Sequence, residues 1–194
     1  MKNPMDKRAE KTCIQLKKAM LCFLSEKPLH KVTVTDLCRI CEVNRATFYH
    51  HFQDVFDLLE KMEDDLLKDL KEKMEQLEKS QASPEMVSQK LCEFLFARQT
   101  EWNIFLHSEH NRQFYEKIDK IIMPYFEKRV CQNYQIPADF NENDLRNILQ
   151  FIAAGYYMFF LQLLEERTED KLLWKSQTAA KLSDACLSRF FTKL

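Results

Sequence analysis

The sequence predicts an all-α protein, and three observations carry that prediction. One glycine and five prolines in 194 residues leave too few turn formers for the tight turns of an all-β fold. Leu, Lys, Glu, Met and Gln dominate, and their side chains lose little freedom in a helix. Apolar residues also recur at three-and-four spacing along most of the chain, which is the period of a helix with one buried face.

Residues 6–26 form the first expected helix. Ile14, Leu16, Ala19, Met20, Phe23 and Leu24 make its apolar stripe. Lys7, Arg8, Lys11, Lys17 and Lys18 crowd its N-terminal two-thirds, where cations oppose the helix dipole. That face is either solvated or an arm near phosphate. Pro28 ends the helix. Thr33 followed by Asp36 resembles a capping box with Asp in place of Glu, opening a short helix from Val34 to Ile40. Asn44 caps a second short helix, Arg45 to His51. Asp54 with Asp57 repeats the pattern and opens a long helix. There Val55, Leu58, Leu59, Met62, Leu66, Leu70, Met74 and Leu77 keep helical period to about Lys79.

Ser83-Pro84 is a start signal, with Ser as cap and Pro at the first helical position, for a helix reaching about Ala97. A short segment around Trp102–His107 follows. A helix from about Arg112 to Asn133 is expected to be interrupted or kinked near Pro124, which lacks the donor a helix needs. Gln135–Phe140 reads as a loop. Asn141 with Asp144 caps the apolar run DLRNILQFIAAGYYMFFLQLLEER, and a last helix spans roughly Glu169 to Phe191. The sequence contains no internal repeat, low-complexity segment or flexible linker.

Charge is distributed unevenly behind a net value of −1. Residues 1–52 carry ten Lys/Arg against five Asp/Glu, and the remainder 19 against 25. That sign suits a front end meeting a polyanion. No uninterrupted run of 18 apolar residues occurs, so no membrane span is expected. The N-terminal residues lack the apolar core of a signal peptide, so a cytoplasmic location is expected. The seven cysteines are then expected as reduced, buried thiols.

The segment NRATFYHHF, Asn44 to Phe52, carries the sharpest functional signal. Two short helices, 34–40 and 45–51, separated by about four residues, have the spacing of a helix-turn-helix. The second helix of that motif lies in the DNA major groove. Its buried face needs apolar anchors, and Phe48 and Phe52 are four apart. Its exposed face needs donors: Arg45, Thr47, Tyr49, His50 and His51. Arg45, at the helix start, can reach a guanine edge, and Ala46 is small enough to pack on a thymine methyl. Thr47, Tyr49 and His51 suit phosphate oxygens. Thr33 and Thr35 sit where the free amides of the preceding helix can also bind phosphate.

The run VTVTDLCRICEVNRATFYHHFQDVFDLL, Val32 to Leu59, resembles the DNA-binding region of TetR/AcrR-family transcriptional regulators. The N-R-x-T-F-Y-x-H-F variant is similar to the branch that includes dihydroxyacetone-kinase regulators. The resemblance covers roughly residues 10–60. It implies a helix-turn-helix domain at 1–53, with the start of the long helix at 54–60. It also implies a helical domain at 61–194 for dimerisation and effector binding. The expected partners are a palindromic double-stranded DNA operator, a second copy of the chain, and a small-molecule or protein effector. Repression is the commoner outcome in the family. Two departures stand out. The family's inter-helix turn usually has Gly for a left-handed backbone, and Glu42 occupies it here. The family usually places a phosphate-binding Lys at the start of the long helix, and here it is Val55. The loss of one phosphate contact flattens the salt dependence by roughly one unit of slope. These departures motivate the alternative of a co-regulator of the same fold that acts through protein–protein interaction.

Other chemistry fits poorly. Cys38-x-x-Cys41 with His50 and His51 has a gap of eight residues rather than about twelve, and adjacent histidines point about 100° apart on a helix. His107 and His110 flank Ser108-Glu109 without a nucleophile elbow or glycine-rich turn. No enzyme activity, metal or cofactor is expected. The aromatic-rich back half is by default core and interface. By the resemblance it holds an effector, with Trp102, Phe105, His107, Tyr125, Tyr156 and Phe159 as candidate lining. The helix around FIAAGYYMFF is apolar on more than one face and must be buried on both. A second copy around a two-fold axis is the simplest cover, in a four-helix interface with the last helix. Ile152, Gly155, Phe159, Leu163, Ala179, Leu182 and Leu187 are the residues assigned to that interface.

Overall fold

The computed structural model describes residues 4–80, 82–107, 111–166 and 171–194. Among them are nine α-helices and a two-stranded sheet of two residues a strand. They fall into two compact units that divide inside one helix, at Lys68/Asp69.

In the first unit, α1 is Pro4–Glu26. Leu16, Ala19, Met20 and Phe23 are its buried stripe, while Ile14 is exposed and Leu24 half-buried, so the stripe is narrower than the sequence suggests. Pro28 N-caps a 3-10 turn, Leu29–Lys31. α2 is Val34–Cys41, capped by Thr33, whose side chain accepts from the Asp36 amide at 3.1 Å. α3 is Arg45–His51, capped by Asn44, which accepts from the Thr47 amide at 2.7 Å. α4 is Val55–Lys79. Asp54 accepts from the amides of Phe56 and Asp57, each at 2.8 Å, and Asp57 reaches back to the Gln53 amide at 2.7 Å. Each expected cap is therefore made. At a helix start each leaves one fewer orphan amide and contributes about 1 kcal/mol.

In the second unit, α5 (Pro84–Ala97) starts at the Ser83 cap with Pro84 in its first turn. α6 is Gln99–Leu106, a helix of eight residues where only a short segment around Trp102–His107 was expected. α7 (Asn111–Asn133) runs through Pro124 without interruption. α8 is Glu142–Glu166, with Asn141 and Asp144 in reciprocal capping contacts of 3.0 and 3.1 Å. α9 is Leu172–Phe190; the expected start near Glu169 lies outside the described residues. α5 and α8 both pack on α9, and α6 and α7 pack on α8. The expected loop after α7 begins instead with a strand. β1 (Tyr134–Gln135) pairs antiparallel with β2 (Thr192–Lys193), Tyr134 opposite Lys193. Two residues paired across such a separation leave no alternation in the sequence to detect.

α8 is long and apolar enough to cross a bilayer by length and composition, with mean hydropathy 1.4 over its best window. Scattered polar residues break its apolar run, which is why the sequence shows no unbroken stretch of 18 apolar residues. α8 packs on α6, α7 and α9.

Candidate nucleic-acid interface and interior cavity

The turn between α2 and α3 is built on Glu42. Its φ of 54° and ψ of 37° are left-handed, and it is the one non-glycine residue with positive φ among the described residues. The Val43 amide donates to the Cys38 carbonyl (3.0 Å) and the Glu42 amide to that of Arg39 (3.4 Å). This pair of bonds is the Schellman closure that glycine normally makes. The backbone thus turns as the sequence position demanded, with an L-residue bearing a cost of about 1–2 kcal/mol.

α3 is seated by Phe48 and Phe52, both buried, with ring centroids 5.7 Å apart. Leu37 and Cys38 are the buried residues of α2. Around α3 the candidate DNA-binding residues divide into two groups. Ala46, Tyr49 and His50 are exposed, Tyr49 to 56%. The others are engaged within the protein. Thr33 gives its hydroxyl to Asp36 at 2.9 Å while capping α2. Thr47, half-buried, donates to the Asn44 side chain at 2.9 Å. Arg45, although exposed, donates to the Thr35 hydroxyl at 2.5 Å, tying the start of α3 to the first turn of α2. His51 is half-buried, and burial with the neighbouring His50 and Lys61 holds its pKa below the ordinary histidine value. Lys61, not singled out from the sequence, donates to the His51 carbonyl (3.1 Å) and to Asp57 (3.0 Å), anchoring the C-terminal end of α3 to α4.

On α1, Arg8, Lys11 and Lys18 are exposed, whereas Lys17 is half-buried and pairs with Asp65 of α4. The side chain of Lys7 lies outside the described residues. Burial raises the pKa of Cys38 and of Cys41, so both thiols stay protonated. No group of three or more His, Cys, Asp or Glu side chains that could hold a metal occurs among the described residues.

The second unit encloses a cavity of about 320 Å³ between α5, α7, α8 and α9. Its lining is chiefly aliphatic and aromatic. Trp102, Tyr125, Tyr156 and Phe159 line it, as candidate residues. Two other candidates do not. Phe105 packs against Phe114 at 5.3 Å, off the cavity, and His107 is exposed, its ring nitrogen 3.0 Å from the Asn103 carbonyl. α6 ends at Leu106, which turns His107 away. Ser108, Glu109 and His110 lie outside the described residues. Among the described residues, the Trp102 indole nitrogen and the Tyr125 hydroxyl are buried without a hydrogen-bond partner. Burial raises the pKa of Tyr125 and Tyr156, keeping both phenols protonated. Tyr157 is raised further, by burial and by its bond to Asp119.

The residues assigned from sequence to a dimer interface mostly face inward. Leu163, Ala179 and Leu187 are buried, and with Ile152 and Phe159 they line the cavity. Gly155 and Leu182 are exposed. The outward stripe of α8 is Phe151, Ala154, Gly155 and Met158, with Phe151 75% and Met158 58% exposed. On α9 it is Trp174, Thr178, Leu182 and Ala185, with Thr178 only half-exposed. An added Cβ at Gly155 would meet nothing within 4 Å, so that surface is open in the single chain. Of the residues assigned from sequence, Gly155 and Leu182 therefore lie on the exposed stripes and the other five face the interior, because the apolar run of α8 covers more than one face and does not fix rotation about its axis.

Comparison with known proteins gives one matching family and many solved structures of similar fold. Residues 18–62 match the family described as "Bacterial regulatory proteins, tetR family". No curated protein matches the sequence. Among solved structures, the dihydroxyacetone kinase operon activator DhaS superposes with a TM-score of 0.59 at 16% identity, covering 93% of this chain and 98% of that one. The regulator FadR from Bacillus subtilis, in complex with stearoyl-CoA, has a TM-score of 0.64 at 17% identity, covering 88% and 96%. NalD, the secondary repressor of the MexAB-OprM multidrug efflux pump in Pseudomonas aeruginosa, has 0.58 at 17%, covering 95% and 98%. At these identities the likeness is one of fold: an all-α architecture shared along nearly the whole length of each.

Proposed function

We propose that this chain, whose helix-turn-helix is that of the bacterial tetR regulatory family, is a dimeric DNA-binding transcriptional regulator controlled by a small-molecule effector. The observation carrying this reading is α3: a short helix anchored by Phe48 and Phe52, with Ala46, Tyr49, His50 and Arg45 on its exposed side. In this reading α3 enters the major groove. Arg45, with Thr35 still accepting from one of its five N–H donors, offers the others to a base edge or phosphate, and Tyr49 and His50 contact the backbone. Thr33, Thr47 and His51 act chiefly by holding α2 and α3 in place, and Thr35 by holding Arg45. A second copy, joined through the outward stripes of α8 and α9, places its α3 one helical turn away, about 34–36 Å along a palindromic operator.

The cavity is the proposed effector site. It is largely apolar with a few polar groups, the pattern of small-molecule pockets, and a fold neighbour was solved with an acyl-CoA. α4 belongs to both units, so it is the route by which an occupied cavity changes the spacing of the two recognition helices. The ligand acts only if it binds one spacing better than the other. Fold neighbours include an activator and a repressor. Repression is the direction we assign, because a dimer seated across two grooves occludes the duplex beneath it. Such a protein works in the cytoplasm, with the DNA.

The test is binding to sheared genomic DNA across a salt series. A steep loss of affinity with salt, with binding lost in Arg45→Ala, supports the regulator. A flat, weak response favours a co-regulator acting on other proteins, the reading that Glu42 and Val55 favour.

A further inference from the structure

We infer that the cavity of the second unit takes an elongated, apolar molecule of about ten non-hydrogen atoms ending in a carbonyl-type oxygen. The inference rests on the reading of that cavity as an effector site and adds the chemistry of its occupant.

Size is the first constraint. At roughly 30 Å³ for each water-sized group, a cavity of about 320 Å³ holds about ten such groups. Polarity is the second. Leu91, Ile122, Leu149, Ile152, Phe160 and Leu163 are typical of the wall, which suits an apolar body, while Glu85, Arg129, Asn133 and Asp184 give it a polar minority. The third constraint is the kind of polar group left over. Trp102 is 1% and Tyr125 6% exposed, both line the cavity, and neither the indole N–H nor the hydroxyl has a partner among the described residues. Indole nitrogen only donates, and the protonated phenol donates readily. A buried donor without an acceptor loses the hydrogen bonds it made to water, so an acceptor on the ligand is favoured. The group that answers either donor is therefore an acceptor, and an sp² oxygen supplies one. A donor-only head group leaves the indole N–H unanswered. A free carboxylic acid and a neutral ketone share the required oxygen, and the experiment separates them.

Isothermal titration of the full-length protein with decanoate, 2-decanone and decyltrimethylammonium, each below its aggregation limit, tests the assignment. The expected result is one site per chain for decanoate, 2-decanone or both, with at least tenfold weaker binding of the ammonium. Binding of decanoate alone identifies the free acid; comparable binding of both identifies the carbonyl as sufficient. Tyr125→Phe, which keeps the ring and the fold, weakens the oxygen ligand by about five- to tenfold and leaves the ammonium unchanged. Equal binding of the ammonium, no binding of either oxygen ligand, or no effect of Tyr125→Phe overturns the assignment. DNA binding measured on the same preparation without ligand separates the two readings. A protein that binds DNA but neither oxygen ligand loses only this inference, and one that binds decanoate but no DNA loses the regulator.

Discussion

Arg45 and Glu42 are the residues on which the proposed interface turns. Arg45 is held ready rather than loose, its guanidinium donating to Thr35. Thr35→Val removes that acceptor while keeping the shape. The expected outcome is a several-fold weaker DNA complex with an unchanged melting temperature, read by a DNA titration beside a thermal melt. Glu42 is the reverse case, a residue that costs stability where it stands. Glu42→Gly relieves the left-handed backbone and stabilises the first unit by about 0.5–1 kcal/mol, seen as a higher denaturant midpoint. It also removes a carboxylate near the duplex, so DNA affinity rises. His51 sets a pH dependence. Its folded pKa lies below its ordinary value of 6.5, so the unfolded chain binds the proton more readily and stability increases with pH. This contribution is complete above about pH 7 and is lost as pH falls through 6.5 toward the folded pKa. In His51→Asn the slope of stability against pH between 5 and 7 flattens.

At the scale of elements, legibility followed local chemistry. Thr33, Asn44, Asp54, Ser83 and Asn141 each mark a helix start in the sequence because a short side-chain oxygen bonds amides two or three residues ahead. Asn44→Ala costs about 1 kcal/mol, and since Asn44 also takes the Thr47 hydroxyl the loss falls at the start of the recognition helix. Hydrogen exchange slowed less at the amides of residues 46–48 than in the parent protein is the expected sign. The sequence was silent where the determinants are distant or weakly patterned. The β1–β2 pair joins segments far apart in the chain. Lys61 secures α3 from ten residues away, with only its place on α4 opposite the His51 carbonyl to reveal it. Phe105 and Trp102 are both aromatic and both buried, yet only Trp102 lines the cavity, a matter of rotation about α6 that composition does not carry.

For the whole molecule, the sequence assigned Ile152, Gly155, Phe159 and Leu163 of α8 to a seam between copies, whereas the exposed residues of the single chain include Phe151, Gly155 and Met158. If the outward stripes of α8 and α9 join two copies, Met158→Asp places a charge in an apolar seam and yields a monomer by sedimentation, while Ile152→Val, on the cavity side, leaves the dimer intact. Losing the dimer lowers DNA affinity steeply, since the second recognition helix then binds without the benefit of the first. The most direct test of the central claim, that paired α3 helices read a duplex, is selection of bound sequences from a random double-stranded pool. The account predicts enrichment of a two-fold symmetric site with half-site centres 10–10.5 base pairs or a multiple apart, with enrichment abolished in Arg45→Ala. Recovery of no preferred sequence, or of an asymmetric one retained by Arg45→Ala, would contradict it.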